Sequence, residues 1–270
     1  MRSARAAIRW AGLAVAGALL GGCATATAPV PGGSAPVSLR PQVLAELPHD
    51  PAAFTQGLEF GPDGALYEGT GVAGRSQLRE LDPATGAVRR SVPLPGDLFG
   101  EGITVVGDRI WQLSWRDGVA LEWDRTRFVL LREVPLDGEG WGLCHDAGRL
   151  VRSDGSARLR FHDPWTFAET GSVTVTLDGE PVTELNELEC VDGQVWANIW
   201  RTDRIVRIDP ADGAVTAVVD AAGLLDGPRR AGADVLNGIA ATGPDEFLLT
   251  GKYWPVSFRV RFVPTGGGAG

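Results

Sequence analysis

Leu78-Arg79-Glu80-Leu81-Asp82-Pro83-Ala84-Thr85-Gly86 reads as an apolar strand, an Asp-centred turn and the approach to a second strand. The unit returns as Leu121-Glu122-Trp123-Asp124, as Leu159-Arg160-Phe161-His162-Asp163-Pro164 and as Ile205-Val206-Arg207-Ile208-Asp209-Pro210. Its turn aspartates, Asp82, Asp124, Asp163 and Asp209, lie 42, 39 and 46 residues apart. Proline after aspartate presets the first turn position, and glycine supplies the positive φ that closes a hairpin. A degenerate fifth copy, without the aspartate, runs from Ser257 to Pro264. Past residue 40 there is almost no sustained helical period, only short β-branched or aromatic runs broken by Gly, Pro and Asp. Strand-rich units with a period of about 40 residues are the sequence sign of a β-propeller, one four-stranded blade per unit. The expected fold is all-β, a five-bladed β-propeller, with a strand around Val43 to Leu47 closing the last blade. A β-sandwich is the alternative, and it rarely shows so long a repeat.

The 270 residues are 44% hydrophobic, which suffices for one sizeable core. The segment before the repeats is different. A basic stretch ending at Arg9 leads into an apolar run from Trp10 to Leu20, then Gly21, Gly22 and Cys23. That run is short of the about 20 residues a bilayer span needs and fits a signal-peptide core. Leu20-Gly21-Gly22-Cys23 resembles the lipobox of bacterial lipoproteins, so residues 1–22 are expected to be a lipoprotein-type signal peptide and Cys23 the lipidated residue. An ordinary signal peptide with a chance cysteine is the alternative. Residues 23–38, rich in Ala, Pro, Gly and Ser, read as a flexible tether, 39–264 as the propeller and 265–270 as a flexible tail. The expected location is the periplasm, with contact to a membrane only through the lipid anchor. The net charge of −9, which becomes more negative once Arg2, Arg5 and Arg9 leave with the leader, disfavours nucleic acid as a partner.

Cys144 and Cys190 are the cysteines left in the folded part. In an oxidising compartment they are a disulfide candidate, and closing the 46-residue separation would contribute on the order of 4 kcal/mol. Two buried thiols are the other possibility.

Several familiar motifs fail on context. Gly69-Thr70-Gly71-Val72-Ala73-Gly74 matches a dinucleotide fingerprint, which requires a helix to follow, whereas Gln77 to Asp82 belongs to a strand of the repeat. His49, His145 and His162 show no zinc-helix spacing, and no G-x-S-x-G elbow exists, so a catalytic zinc and a Ser-His-Asp triad are not expected.

Tryptophan is the conspicuous residue, with nine copies, several beside Glu, Asn, Gln or Lys in Gly-rich stretches between the units. In a propeller the innermost strands line the axis, and the loops at their ends build one mouth where residues a blade apart converge. Trp111, Trp123, Trp165 and Trp196 are assigned to packing between blades. Glu101, between Gly100 and Gly102, stands out because flanking glycines permit close approach and do nothing for a solvated surface acid.

At these residues the chain resembles the plant and bacterial glutaminyl-peptide cyclotransferases, the propeller type rather than the zinc-dependent animal type. The resemblance runs from about residue 43 to 264. It rests on Phe54-Thr55-Gln56-Gly57-Leu58, Phe99-Gly100-Glu101-Gly102, Trp115, Gly140-Trp141-Gly142, Ser153-Asp154-Gly155-Ser156 and Asn186-Glu187-Leu188-Glu189. It ends with Asn198-Ile199-Trp200, Leu236-Asn237-Gly238-Ile239-Ala240 and Gly251-Lys252-Tyr253-Trp254. The resemblance implies conversion of N-terminal glutaminyl residues to pyroglutamyl residues with release of ammonia. It implies Glu101, Lys252 and Asn186 as catalytic, and Phe54, Gln56, Phe99, Trp115, Trp141 and Trp200 as substrate-binding. It also implies that Cys144 pairs with Cys190. Glu101 would shuttle the proton, Lys252 and Asn186 would hold the oxyanion, Gln56 would hold the substrate amide, and the aromatic residues would fold the substrate. No cofactor is required for this chemistry; a structural cation at the propeller is possible, with no ligands to name. Peptides or proteins with N-terminal Gln are the expected partners, and the chain is expected to be a monomer. Two rival readings are a non-catalytic propeller binding a peptide or glycan, and a metal-dependent lactonase-like propeller holding its ion through Glu101, Asn186 and Asn237.

Overall fold

The computed structural model describes residues 35–243 and 245–266. The expected signal peptide, Cys23, most of the tether and the end of the tail lie outside the described residues. Within them the chain is all β-strand, apart from loops and one 3-10 turn at Pro228–Arg230. No helix among them is long and apolar enough to cross a membrane.

Strand β1 (Val37–Pro48) is followed by four-stranded antiparallel units. The first is β2 (Thr55–Phe60), β3 (Leu66–Thr70), β4 (Gln77–Leu81) and β5 (Val88–Pro93); the second is β6 (Gly100–Val106), β7 (Arg109–Ser114), β8 (Val119–Asp124) and β9 (Val129–Pro135). The third is β10 (Leu143–Asp146), β11 (Arg149–Arg152), β12 (Arg158–His162) and β13 (Glu169–Thr174), trailed by a short hairpin of β14 (Thr176–Leu177) and β15 (Glu180–Pro181). The fourth is β16 (Leu185–Val191), β17 (Gln194–Ile199), β18 (Arg204–Ile208) and β19 (Val215–Asp220). The last has three strands of its own, β20 (Leu236–Gly243), β21 (Glu246–Gly251) and β22 (Val256–Pro264), and takes β1 as its fourth. The strand expected around Val43 to Leu47 is thus present and longer, beginning at Val37 inside the segment read as tether. Its first residues also pair in parallel with β19, from Val37↔Ala217 to Leu39↔Val219, so the last two units fuse into one eight-stranded sheet.

The repeated aspartates sit where the third strand of a unit turns into the fourth. Asp82 accepts the N–H groups of Ala84 and Thr85, both at 3.0 Å, and Asp163 accepts those of Trp165 (3.0 Å) and Thr166 (2.8 Å). These local side-chain bonds replace water on turn backbone and make the hairpin cheap to close. They also correct one assignment. Trp165 lies in such a turn with its backbone N–H held by Asp163, and the residue is 59% exposed rather than packed between units. Phe167, at a left-handed φ of 63°, turns inward instead and meets Trp111 at 4.8 Å between ring centroids. Trp111, Trp123 and Trp196 are buried as expected.

The core is not one mass. Leu78 and Trp123 belong to a cluster joining the first and second units, and Trp111 and Leu150 to one joining the second and third. Leu159 and Leu188 join the third and fourth, Trp196 and Phe247 the fourth and fifth, and Leu58 and Leu248 the fifth and first. The first strands touch in the same order, β2 to β6, β6 to β10, β10 to β16, β16 to β20, and β20 back to β2. Glycine lets these strands come close: a Cβ on Gly102 would stand 2.6 Å from the Trp141 carbonyl oxygen, which its N–H meets at 2.7 Å.

Three devices tie the ring. Cys144 on β10 and Cys190 on β16 form a disulfide with Cα atoms 5.4 Å apart. His49, just beyond β1, bonds the Trp254 carbonyl through Nδ1 (2.7 Å) and Glu68 through Nε2 (3.1 Å), linking the fifth unit to the first. Around the axis, Glu187 accepts the N–H groups of Leu58 (3.2 Å) and Ile239 (2.8 Å), Glu189 that of Ala241 (3.0 Å) and Glu59 that of Val105 (3.1 Å). Burial pushes all three carboxyls upward, Glu59 to about 8, and their mutual repulsion adds to this for Glu187 and Glu189.

Candidate active site

Four of the five first strands carry a β-bulge at the same end. The pairing slips between Thr55 and Gly57, between Gly100 and Ile103, between Leu185 and Leu188, and between Leu236 and Ile239. The residues inside those slips include Gln56, Glu101, Asn186 and Asn237. A bulge leaves a residue out of the ladder and re-aims its side chain. All four are buried polar side chains, and Gln56, Glu101 and Asn186 line one cavity of about 170 Å³.

Aromatic residues and Lys252 complete it from two kinds of position. Phe54 and Phe99 immediately precede first strands and Trp141 lies two residues before one, while Trp115, Trp200 and Lys252 immediately follow second strands. The residues after Trp200 and Lys252, Arg201 and Tyr253, have left-handed φ values of 63° and 60°, conformations that non-glycine residues hold only when packing imposes them. The wall is continuous in pairs. Phe54 meets Phe99 edge-on at 6.0 Å, Phe99 meets Trp115 at 5.5 Å, and Trp141 meets Trp200 edge-on at 5.4 Å. Gly155 underlies Trp141: a Cβ there would stand 2.6 Å from the indole, and its φ of 78° already excludes most side chains.

Within this apolar wall the polar groups form a chain. Asn237 Nδ2 donates to Gln56 Oε1 (3.2 Å) and to the Thr55 carbonyl (3.0 Å), and Gln56 Nε2 donates to Glu101 Oε1 (2.9 Å). Burial pushes the Glu101 carboxyl well above the usual range; Lys252 pulls it down and Glu139 pushes it further up. Burial likewise lowers the Lys252 ammonium, against the pull of Glu101 and Asp234, and its Nζ sits 4.7 Å from the Phe54 ring centroid. Asn186 Oδ1 is buried without a partner. The arrangement can bind a small amide-bearing group between aromatic faces, move a proton at Glu101, and offer hydrogen bonds from Lys252 and Asn186.

The family profile of the glutamine cyclotransferases matches residues 14–262. The chain belongs to that family. Arabidopsis thaliana glutaminyl-peptide cyclotransferase is 38% identical over 226 residues, covering 82% of this chain and 70% of the plant protein. The crystal structure of Myxococcus xanthus glutaminyl cyclase superposes with a TM-score of 0.76 at 40% identity, covering 85% of this chain and 99% of that one.

In this glutamine cyclotransferase the nine residues singled out in the sequence, Phe54, Gln56, Phe99, Glu101, Trp115, Trp141, Asn186, Trp200 and Lys252, together line the cavity. Gln56 also meets Glu101: one of its two amide N–H groups donates to the carboxyl, which leaves the other for a ligand. The Gly69–Gly74 stretch leads into β4, a strand, as its rejection required. Among the described residues no cluster of three or more His, Cys, Asp or Glu side chains is arranged to hold a metal ion. Two further contributors lie outside the nine: Asn237, which the sequence placed only in the rival metal-binding set, and Glu139, which it did not single out and which accepts the indole N–H groups of Trp115 (2.8 Å) and Trp141 (3.0 Å). The signal was there, because Gly138-Glu139-Gly140 repeats the Gly-Glu-Gly of Glu101.

Proposed function

We propose that this chain is a glutaminyl-peptide cyclotransferase whose five four-stranded units are the blades of a five-bladed propeller. The observation that carries the reading is the convergence of a bulge-borne, desolvated Glu101, a buried Lys252 and Asn186 in one aromatic cavity. The cyclic contact of the first strands, with a separate apolar cluster between each adjacent pair of units, supports the propeller.

The reaction joins the α-amine nitrogen of an N-terminal Gln to its own side-chain carbonyl carbon and expels the amide nitrogen as ammonia. The aromatic wall favours a folded side chain, so that amine and carbonyl meet within the cavity. Glu101 takes a proton from the attacking amine and returns one to the departing nitrogen. Its raised pKa suits both halves, since a shuttle works best when its affinity for the proton lies near the working pH. Lys252 and the Asn186 amide donate to the carbonyl oxygen as it becomes an oxyanion. Gln56, held by Asn237, keeps the Glu101 carboxyl aimed. None of these steps calls on a cofactor.

The same reading takes peptides or proteins with an N-terminal Gln as substrates, a monomer as the working form, and the periplasm as the location, with anchorage through lipidated Cys23. Membrane fractionation of the full-length chain against Cys23→Ser tests the anchor; retention of the variant in the membrane fraction would count against it. The activity itself is tested by mass spectrometry of a Gln-initiated peptide incubated with the enzyme. The expected product has lost one ammonia and resists Edman degradation; an unchanged peptide beside a folded enzyme would refute the assignment.

A further inference from the structure

Glu139 belongs to the loop before β10 and reaches the cavity lining through hydrogen bonds from two indoles. One carboxyl oxygen, Oε2, takes both N–H groups, at 2.8 Å from Trp115 and 3.0 Å from Trp141, and Oε1 takes Arg116 Nε at 2.7 Å. Its own backbone carbonyl receives Arg152 Nη1 at 2.7 Å, so the loop is fixed as well as the side chain. We propose that Glu139 is a positioning residue for the cyclisation, locking the two tryptophans that shape the pocket through one shared carboxyl oxygen. The inference rests on the cyclotransferase reading of this site.

The positioning role follows from the contacts. Trp115 and Trp141 come from different units, and an indole has a single N–H donor, so one shared acceptor sets both ring orientations at once. Burial would raise Glu139, but the Trp141, Arg116 and Trp115 donors outweigh it and hold the group below the usual carboxylate range. It is therefore a permanent anion near neutrality. Glu101 is faced by Gln56 from β2, by Lys252 from the loop after β21 and by Glu139 from the loop before β10. Lys252 in turn is faced by Asp234, and Glu139 by Arg116. Within this set Lys252 favours ionised Glu101, and Glu139 is the anion that opposes it.

The test is the pH dependence of kcat/KM on a Gln-initiated dipeptide, for wild type, Glu139→Gln and Glu139→Asp, with thermal midpoints recorded alongside. Glu139→Gln should raise KM about tenfold, the scale of a lost hydrogen bond to a charged acceptor. It should also move the acidic limb of the profile to lower pH, because the anion that raises Glu101 is gone. Glu139→Asp should raise KM while leaving that limb in place, and it carries the test if Glu139→Gln does not fold. A lowered thermal midpoint with KM and both limbs unchanged would make Glu139 merely structural and overturn the proposal. A wild type that does not cyclise the dipeptide would overturn the functional reading and this inference with it.

Discussion

Glu101 accepts one hydrogen bond, from Gln56, in a cavity lined mainly by aromatic rings with Asn186 and Lys252 among them, so its chemistry is separable from its packing. Glu101→Gln preserves volume and the carbonyl that accepts from Gln56, yet cannot carry a proton. We expect kcat to fall about 10²–10⁴-fold with an unchanged fold, the range for loss of a general acid–base. Lys252→Ala removes an oxyanion donor and should cost about 10²–10³-fold in kcat; a loss confined to thermal stability would return Lys252 to the scaffold. At this scale much was legible in the sequence, because Glu101 stands between two glycines, which permit close approach and do nothing for a solvated surface acid. The gaps have physical causes. Glu139 acts through two indoles a unit apart, a relation that exists only after the ring closes. Trp165 was misassigned because an aromatic side chain in a turn has the composition of core and the backbone bonding of surface.

Elements set where those side chains point. The strand units were readable from the Asp-centred turns, whose side-chain bonds to Ala84, Thr166 or Ala211 are local and therefore leave a local imprint. The bulges were not, since a bulge is a mismatch between two strands and neither strand alone reveals it. The parallel pairing of β1 with β19 is equally non-local, joining residues near 38 to residues near 218. Two ties between units give testable consequences. Replacing Cys144 and Cys190 by Ala should cost about 4 kcal/mol on the chain-entropy account, read as a lowered denaturant midpoint. The His49–Glu68 pair should be pH-dependent in a defined window. Burial opposes the charged imidazole, but the Glu68 bond and charge prevail and raise its pKa, while Glu68 itself is lowered despite its burial, by His49 first. The His49 contribution is thus complete below about pH 6.5 and lost as pH rises through its folded value; that of Glu68 is lost as pH falls below about 4.5. The melting-temperature gap between wild type and His49→Gln should be widest between those limits and narrow above them. A gap that is constant with pH would remove the ion pair from the account.

For the whole molecule, closure around an axis brings Glu59, Glu187 and Glu189 together where none can be fully solvated. Raised carboxyls bind protons in the folded state that the unfolded chain has released. Stability from this cluster is therefore greatest below about pH 4.5 and declines as pH rises toward the folded values, about 8 for Glu59. Glu59→Gln keeps an oxygen for the Val105 N–H and removes one charge, so it should raise the melting temperature at pH 8.5 more than at pH 5. Equal shifts at both would show that these carboxyls are not protonated in the fold. The closed ring also explains why the site assembles from residues spread between positions 54 and 252: each unit offers its loop ends to one shared mouth.

The central claim is that this cavity cyclises N-terminal glutamine by a proton shuttle at Glu101, and ammonia release from a Gln-initiated dipeptide tests it most directly. Wild type and Glu101→Gln should be compared with excess chelator present. The account predicts sustained release by the wild type and almost none by the folded variant; release that depends on a removable metal, or that survives the loss of Glu101, would contradict it.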